Sequence, residues 1–163
     1  NTAFQRLVDD QYATLYRFAF RLSGNADVAG DLTQDAFCKA QAQFAQLRDA
    51  ERARPWLYSI VRNAYLHRLR TERNHREVPL EWADGVGRED VRPQVDIDPA
   101  RLQEVLDEMP ESFRTPLILF YFEEFSYRDI AEQMEVPMGT VMSRLARAKA
   151  YLRERLAPSS NGE

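Results

Sequence analysis

Residues 126–149 read SYRDIAEQMEVPMGTVMSRLARAK, and this stretch decides the fold of the C-terminal half of the chain. Ser126 and Asp129 are spaced as a helix N-cap and a partner in the first turn, where a side-chain oxygen accepts a backbone N–H bond. We therefore predict a helix, a short turn and a second helix over residues 126–134, 135–138 and 139–156. A basic second helix after a short turn is the layout of a helix-turn-helix.

The first two turns of the second helix carry side chains that suit contact with DNA. In a helix-turn-helix, this helix enters the major groove with its N-terminal residues nearest the bases. Hydroxyl and guanidinium groups there can reach phosphates and base edges, which makes Thr140, Ser143, Arg144 and Arg147 candidates. An ordinary helical hairpin with a charged outer face is the alternative for this stretch alone.

Two further helices are predicted before the helix-turn-helix. Asp98 is a good N-cap and Pro99 suits a first helical turn, so a short helix should occupy residues 101–109. Pro110 breaks that helix, and a very apolar helix should follow over residues 111–124. Residue 135, in the predicted turn, is a glutamate, which costs about 1 to 2 kcal/mol if its backbone is left-handed.

The N-terminal half should form a bundle of three or four helices. Apolar residues recur at three- and four-residue spacing up to the break at Ser23-Gly24-Asn25, and again over residues 26–44. Pro55 sits well at a first helical position and opens a third helix to about residue 73. Trp56 lies on a ridge that favours core packing, whereas Tyr58 and Tyr65 suit either the core or the surface.

Residues 77–99 separate the two halves and have the composition of a linker. They contain three prolines, two glycines and seven acidic residues against two arginines, a net charge of −5. We therefore predict an all-α protein with two small helical domains joined by a flexible acidic linker. The predicted boundaries are 1–76 for the first domain, 77–98 for the linker, 99–157 for the second domain and 158–163 for a tail.

Charge is unevenly distributed along the chain. The net charge is −4, yet residues 48–76 have eight arginines against three acidic residues, and residues 139–156 have five basic residues against one acidic residue. Two basic segments separated by an acidic one indicate two surfaces that face phosphates. Basic helical faces that are merely solvated are the alternative for either segment taken alone.

Catalysis and metal binding are not supported by the residues that those activities need. Cys38 has no histidine near it in sequence, and His67 and His75 have no carboxylate or cysteine at metal-ligand spacing. No glycine-rich phosphate loop occurs. We predict no enzymatic activity, no metal, no cofactor and no small-molecule substrate. The lack of a signal-peptide pattern or a long apolar run, and the single cysteine, favour a cytoplasmic location.

Four stretches of the sequence together resemble the extracytoplasmic-function (ECF) sigma factors of bacterial RNA polymerase. The helix-turn-helix stretch and residues 106–119, LDEMPESFRTPLIL, resemble the C-terminal DNA-binding domain of that family. Residues 31–37, DLTQDAF, resemble its polymerase-binding motif, and residues 55–63, PWLYSIVRN, resemble its promoter-melting helix. The resemblance covers nearly the whole chain with both domains in the family's order.

The resemblance implies three sets of site residues. The set for core RNA polymerase, which would dock on the clamp coiled coil of the largest subunit, is Asp31, Leu32, Gln34, Asp35 and Phe37. The set for the promoter minus-10 element is Arg48, Arg52, Arg54, Arg62, Asn63, Arg68 and Arg70, with the loop 47–54 holding a base that is turned out of the stack. The set for the minus-35 element is Thr140, Met142, Ser143, Arg144 and Arg147. Met142 departs from the basic residue often found at its position.

The function that the resemblance implies is promoter-specific transcription initiation, in response to envelope or environmental stress. The implied partners are core RNA polymerase, promoter DNA and an anti-sigma factor anchored in the membrane, which could hold the protein at the inner membrane. The acidic linker would thread the polymerase channel for nascent RNA. A sigma-like mimic that sequesters an anti-sigma factor is one alternative. A helix-turn-helix repressor whose N-terminal bundle dimerises or binds a ligand is the other.

Overall fold

The computed structural model describes residues 2–72 and 98–156. The chain divides into two compact units, residues 1–77 and 78–163. The described residues contain seven α-helices and two short 3-10 turns but no β-strand, so the all-α prediction is confirmed for this part of the chain. Apart from Asp98, the predicted linker over 77–98 and the predicted tail over 158–163 lie outside the described residues.

The N-terminal unit contains three helices that all pack against one another. They are α1 (Thr2–Ser23), α2 (Ala26–Gln43) and α3 (Ala53–Thr71). Two 3-10 turns, Phe44–Gln46 and Ala50–Arg52, connect α2 to α3. The second helix is therefore one residue shorter than predicted, and Phe44 begins the first 3-10 turn.

The tight turn between α1 and α2 has the residues that such a turn requires. Gly24 has a positive φ of 68°, which costs glycine little, and its N–H donates to the Phe20 carbonyl at 2.7 Å. Asn25 is the N-cap of α2, and its side-chain oxygen accepts from the N–H groups of Asp27 and Val28 at 2.9 and 3.1 Å. These bonds set the angle at which α2 leaves α1.

The start of α3 differs from the prediction. The helix begins at Ala53, so Pro55 is its third residue and not its first. A proline is still tolerated there, because the N–H groups of the first helical turn have no carbonyl partner within the helix. The Asp49 side chain accepts from the Glu51 N–H at 3.0 Å, which favours the 3-10 turn that leads into α3.

The core of the N-terminal unit is made mainly of leucine, alanine and aromatic side chains. Its fully buried large members are Leu15, Phe18, Leu22, Leu57, Tyr58 and Val61. The rings of Phe18 and Tyr58 have centroids 4.7 Å apart, which fixes α1 against α3. Tyr65 is also buried, so both tyrosines that the sequence left open belong to the core.

Residues 98–156 of the C-terminal unit form four helices. They are α4 (Pro99–Glu108), α5 (Glu111–Tyr121), α6 (Tyr127–Met134) and α7 (Met138–Leu156). The Asp98 side chain accepts from the Ala100 N–H at 3.1 Å, which confirms the predicted cap of the first of these helices. Helix α7 packs against the other three, and its predicted inner residues Val141, Leu145, Ala148 and Leu152 are all buried.

Helix α5 ends three residues before the predicted end at residue 124. Glu124 has a positive φ of 59°, and the Phe125 N–H donates to the Leu119 carbonyl at 2.9 Å, which closes the helix end. Phe125 is then buried in the core of the unit. The run of apolar residues extends beyond the helix because Phe125, although it lies in the turn, still packs into the core. Apolar periodicity alone therefore places the end of the helix too late.

Candidate nucleic-acid and protein interfaces

The first candidate surface is an acidic face on α2, formed by Asp31, Gln34 and Asp35. All three residues are exposed, and their helical spacing keeps them on one side of α2. The Asp31 side chain is 67% exposed, and its carboxylate lies 4.0 Å from an Arg68 guanidinium nitrogen on α3. An exposed ion pair at this distance contributes little to stability and can exchange for another basic partner.

Two predicted members of the polymerase-binding set do not lie on this surface. Leu32 and Phe37 are only 3% and 8% exposed because they pack in the core of the N-terminal unit. The Phe37 ring stacks on Tyr12, with centroids 5.9 Å apart. Leu32 and Phe37 therefore lie mainly beneath the acidic face and help to hold it on α2, and their predicted part in polymerase binding stays a prediction.

The second candidate site is a pocket beside the two 3-10 turns that precede α3, called here the loop pocket. It has a volume of about 410 Å³ and is lined by Gln43, Gln46, Leu47, Arg48, Asp49, Arg52 and Trp56. Its walls therefore combine amide, carboxylate and guanidinium groups with one large aromatic ring. Such a lining offers hydrogen bonds to a polar edge and an aromatic surface for stacking.

Trp56 was expected in the core, and that prediction was wrong. Its side chain is only partly buried and forms part of the pocket wall. Helical spacing puts Trp56, Asn63 and Arg70 seven residues apart on one outward stripe of α3. Gln43 and Gln46 also line the pocket and were not predicted, whereas Asp49 belongs to the loop 47–54 that was expected to hold a base. The seven-residue spacing could have marked Trp56, but no sequence signal marks the glutamines.

The predicted minus-10 residues do not form a single cluster. Arg48 and Arg52 are exposed and line the loop pocket. The Arg54 guanidinium lies 5.0 Å from the centre of the Tyr58 ring and so packs back onto the unit. On α3, Asn63 and Arg70 are exposed and Arg62 is partly buried.

Arg68, another predicted minus-10 residue, makes ion pairs with two acidic residues. Its guanidinium makes ion pairs with Glu72, at 3.1 Å, and with Asp31. Helical spacing also directs Arg68 toward α2 and away from the stripe that carries Trp56. In this conformation, Arg68 therefore links the acidic face to α3.

The third candidate surface lies at the start of α7. Ser126 caps α6 by accepting from the Asp129 N–H at 3.1 Å, as predicted. Glu135 ends α6 in the left-handed conformation with φ 56° and ψ 45°, and the Val136 N–H donates to the Ala131 carbonyl at 3.1 Å. This turn sets the direction of α7, so that Val141 is buried and the opposite side of α7 faces outward.

The outward side of the first three turns of α7 is called here the recognition face. It comprises Met138, Thr140, Met142, Ser143, Arg144 and Arg147, which are all exposed or partly buried. The Ser143 hydroxyl donates to the Thr140 carbonyl at 3.0 Å, so its oxygen remains able to accept a further bond. All five predicted minus-35 residues thus lie on one helix within two turns.

Comparison with protein families identifies both units. Residues 7–75 match the family model of Sigma-70 region 2, and residues 100–152 match that of Sigma-70 region 4. The ECF RNA polymerase sigma factor SigM of Mycobacterium tuberculosis H37Rv is 33% identical over 98% of this chain and 80% of that protein. This chain belongs to the ECF sigma factors. The ECF sigma factor SigW of Bacillus subtilis is 29% identical to this ECF sigma factor, and the alignment covers 94% of this chain and 89% of SigW.

A solved structure has the same fold. The sigma factor RpoE of Bartonella quintana, crystallised with the anti-sigma factor NepR, matches 98% of this ECF sigma factor and 99% of RpoE. The TM-score is 0.77 and the sequence identity is 24%. Sigma factors are transcription initiation factors without enzymatic activity of their own. Within residues 2–72 and 98–156, no helix combines the length and the apolar character needed to cross a membrane.

Proposed function

We propose that this ECF sigma factor divides promoter recognition between its two units, the loop pocket serving the minus-10 element and the recognition face serving the minus-35 element. The observation that carries the proposal is the loop pocket, with Trp56, Arg48 and Arg52 in its lining. A pocket with this lining suits a base that has left the duplex, because every base offers a ring face for stacking and a polar edge.

Base capture in the loop pocket would accompany strand separation at the minus-10 element. Trp56 provides the stacking surface, and the exposed Arg48 and Arg52 neutralise the neighbouring phosphates. Asn63 and Arg70 extend the same stripe along α3 and would hold the separated strand. Arg62, Arg54 and Arg68 are the remaining minus-10 candidates, and Arg68 must first leave Asp31 and Glu72.

The recognition face would read the minus-35 element as a duplex. A capped α6 followed by the Glu135 turn suits the braced entry of α7 into a major groove. Arg144 and Arg147 provide forked donors for guanine edges or phosphates, and Thr140 and Ser143 provide hydroxyls. The bases of this element stay paired, so they are contacted through their edges in the major groove, which a helix can enter and a pocket cannot.

The acidic face would dock on core RNA polymerase through the clamp coiled coil of its largest subunit. Asp31, Gln34 and Asp35 are exposed and adjacent, which suits a basic helical partner. Docking would replace the Asp31–Arg68 ion pair with pairs to the polymerase. The arginine freed in this way lies on the helix that we propose to contact the minus-10 strand.

We also propose that an anti-sigma factor controls this protein, as the complex of Bartonella RpoE with NepR suggests for a protein of the same fold. An anti-sigma factor that covers the acidic face would block polymerase binding directly. If that partner is anchored in the inner membrane, it would hold this otherwise cytoplasmic sigma factor there until an envelope or environmental stress releases it.

The test of the proposed function is transcription in vitro by core RNA polymerase on a promoter library. We expect promoter-specific transcripts with the wild-type chain and a loss of at least tenfold with Asp31→Arg, because like charges would then face the clamp. Asp10→Arg, a charge reversal at an exposed position on α1, is the matched control and should retain activity. Absence of core binding and of transcripts with the wild type would instead favour a sigma mimic or a repressor.

A further inference from the structure

Two methionines are exposed at the start of α7. Met138 and Met142 are 44% and 45% exposed, and Tyr12 is the only other large hydrophobic residue with comparable exposure among residues 2–72 and 98–156. The methionines are four residues apart, so they lie next to each other on one side of the helix. Their thioether side chains form a small apolar patch on the recognition face.

The patch lies beside the polar contacts proposed for DNA and not among them. With about 100° of rotation per residue, Met138 and Met142 fall on one flank of the recognition face, and Thr140, Arg144 and Arg147 fall on the other. Ser143 lies between the two flanks. Gly139, next to Met138, has no side chain, and the space where its Cβ would lie is open. The wall of a DNA groove could therefore approach the two methionines without a steric obstacle from Gly139.

The charge around the patch favours DNA over a protein as its occupant. From Met138 to Arg153 the helix contains no acidic residue, and three of its four basic residues, Arg144, Arg147 and Arg153, are exposed or partly buried, whereas Lys149 is buried. A surface of this kind attracts phosphates. Within the major groove, the one apolar group that a base presents is the C5 methyl group of thymine. An unbranched methionine side chain can adapt its shape to pack against such a group.

We propose that Met142, with Met138 one turn before it, selects thymine in the minus-35 element by packing against the C5 methyl group. This inference rests on the proposed role of the recognition face at that element. A basic side chain at position 142 would bond guanine or a phosphate instead, so Met142→Arg should shift the preference from thymine toward guanine at the contacted base pair.

The experiment uses holoenzyme, formed from core RNA polymerase and the full chain, and a promoter selected from a library with a randomised minus-35 element. Each thymine of the selected element is replaced in turn by deoxyuridine, which lacks only the methyl group. At one thymine, the wild type should bind about fourfold more weakly after replacement, as expected for one buried methyl group. Met142→Ala should bind both DNAs equally, and Met142→Leu should restore the difference.

Deoxyuridine at the remaining thymines is the matched control. At those positions the replacement should change the binding affinity of the wild type and of Met142→Ala by the same factor. The proposal is overturned if the selected element has no enriched thymine, if deoxyuridine has no effect on the wild type, or if the effect persists in Met142→Ala. A separate double variant, Arg144→Ala with Arg147→Ala, tests the minus-35 role itself. If the double variant binds the promoter more weakly but deoxyuridine has no effect on the wild type, only the thymine inference fails. If the double variant binds the promoter as tightly as the wild type, the minus-35 role itself fails.

Discussion

At the residue scale, the loop pocket depends on Trp56, whose ring forms one of its walls beside Arg48 and Arg52. Whether such a ring is covered depends on how the two 3-10 turns fold over the start of α3. That path depends on local bonds, such as Asp49 to the Glu51 N–H, which helical periodicity does not reveal.

We expect Trp56→Ala to weaken promoter opening more than it weakens the fold. Loss of one base stack corresponds to about 1 to 3 kcal/mol, or roughly 5- to 150-fold in the population of the open complex. The measurement is permanganate reactivity of unpaired thymines in the minus-10 element. Trp56→Phe keeps an aromatic surface and should retain most of the opening. Equal opening by Trp56→Ala and wild type would contradict a stacking role.

Glu135 gives a stability prediction that is independent of promoter binding. A non-glycine residue with φ 56° and ψ 45° is strained by about 1 to 2 kcal/mol, and glycine removes that strain at some cost in chain entropy. We therefore expect Glu135→Gly to raise the free energy of unfolding by up to about 1 kcal/mol.

The matched control for Glu135→Gly is Glu132→Gly, three residues earlier and within α6. Glycine inside a helix should lower the free energy of unfolding by about 1 kcal/mol. Urea denaturation of the full chain, followed by circular dichroism, measures both changes. Opposite signs for the two variants support the account of the turn, and destabilisation by both would contradict it.

At the element scale, caps and breaks were the most predictive features of the sequence. The N-caps Asp98 and Ser126 and the stop at Gly24 are where the sequence indicates them, because each depends on a residue and its immediate neighbours. The start of α3 and the end of α5 were misplaced. In both cases the helix boundary depends on adjoining turns, one held by the Asp49 side chain and the other by a bond between backbone groups, which helical periodicity does not indicate.

The cap of α6 should matter for the orientation of the recognition helix. Ser126→Ala removes the acceptor for the Asp129 N–H and should cost about 1 kcal/mol of stability. We expect weaker binding of holoenzyme to a duplex that carries only the minus-35 element, since a frayed α6 no longer braces α7. Ser126→Asp, another good cap, should restore both properties. Gel-shift titration measures the affinity; unchanged affinity in a measurably destabilised Ser126→Ala chain would contradict the bracing role.

At the scale of the whole molecule, the sequence in which the helical segments and the acidic stretch follow one another was the strongest guide to fold and family. Two helical segments on either side of an acidic stretch predicted two units, and the matches to sigma-70 regions 2 and 4 fall on those segments. The recognition face was predictable because its residues share one helix. The loop pocket was predicted only in part: the loop 47–54 was expected to hold a base, but the walls from the end of α2 and from Trp56 were not predicted, because they meet only in the folded unit.

The division of labour between the two units is tested most directly by sequencing the promoters that holoenzyme selects from a library randomised at both elements. We compare wild type with Arg52→Ala, which alters the loop pocket, and with Arg144→Ala, which alters the recognition face. We expect Arg52→Ala to relax base preference only at the minus-10 element and Arg144→Ala to relax it only at the minus-35 element. Relaxation at the opposite element, or unchanged preferences in both variants, would contradict it.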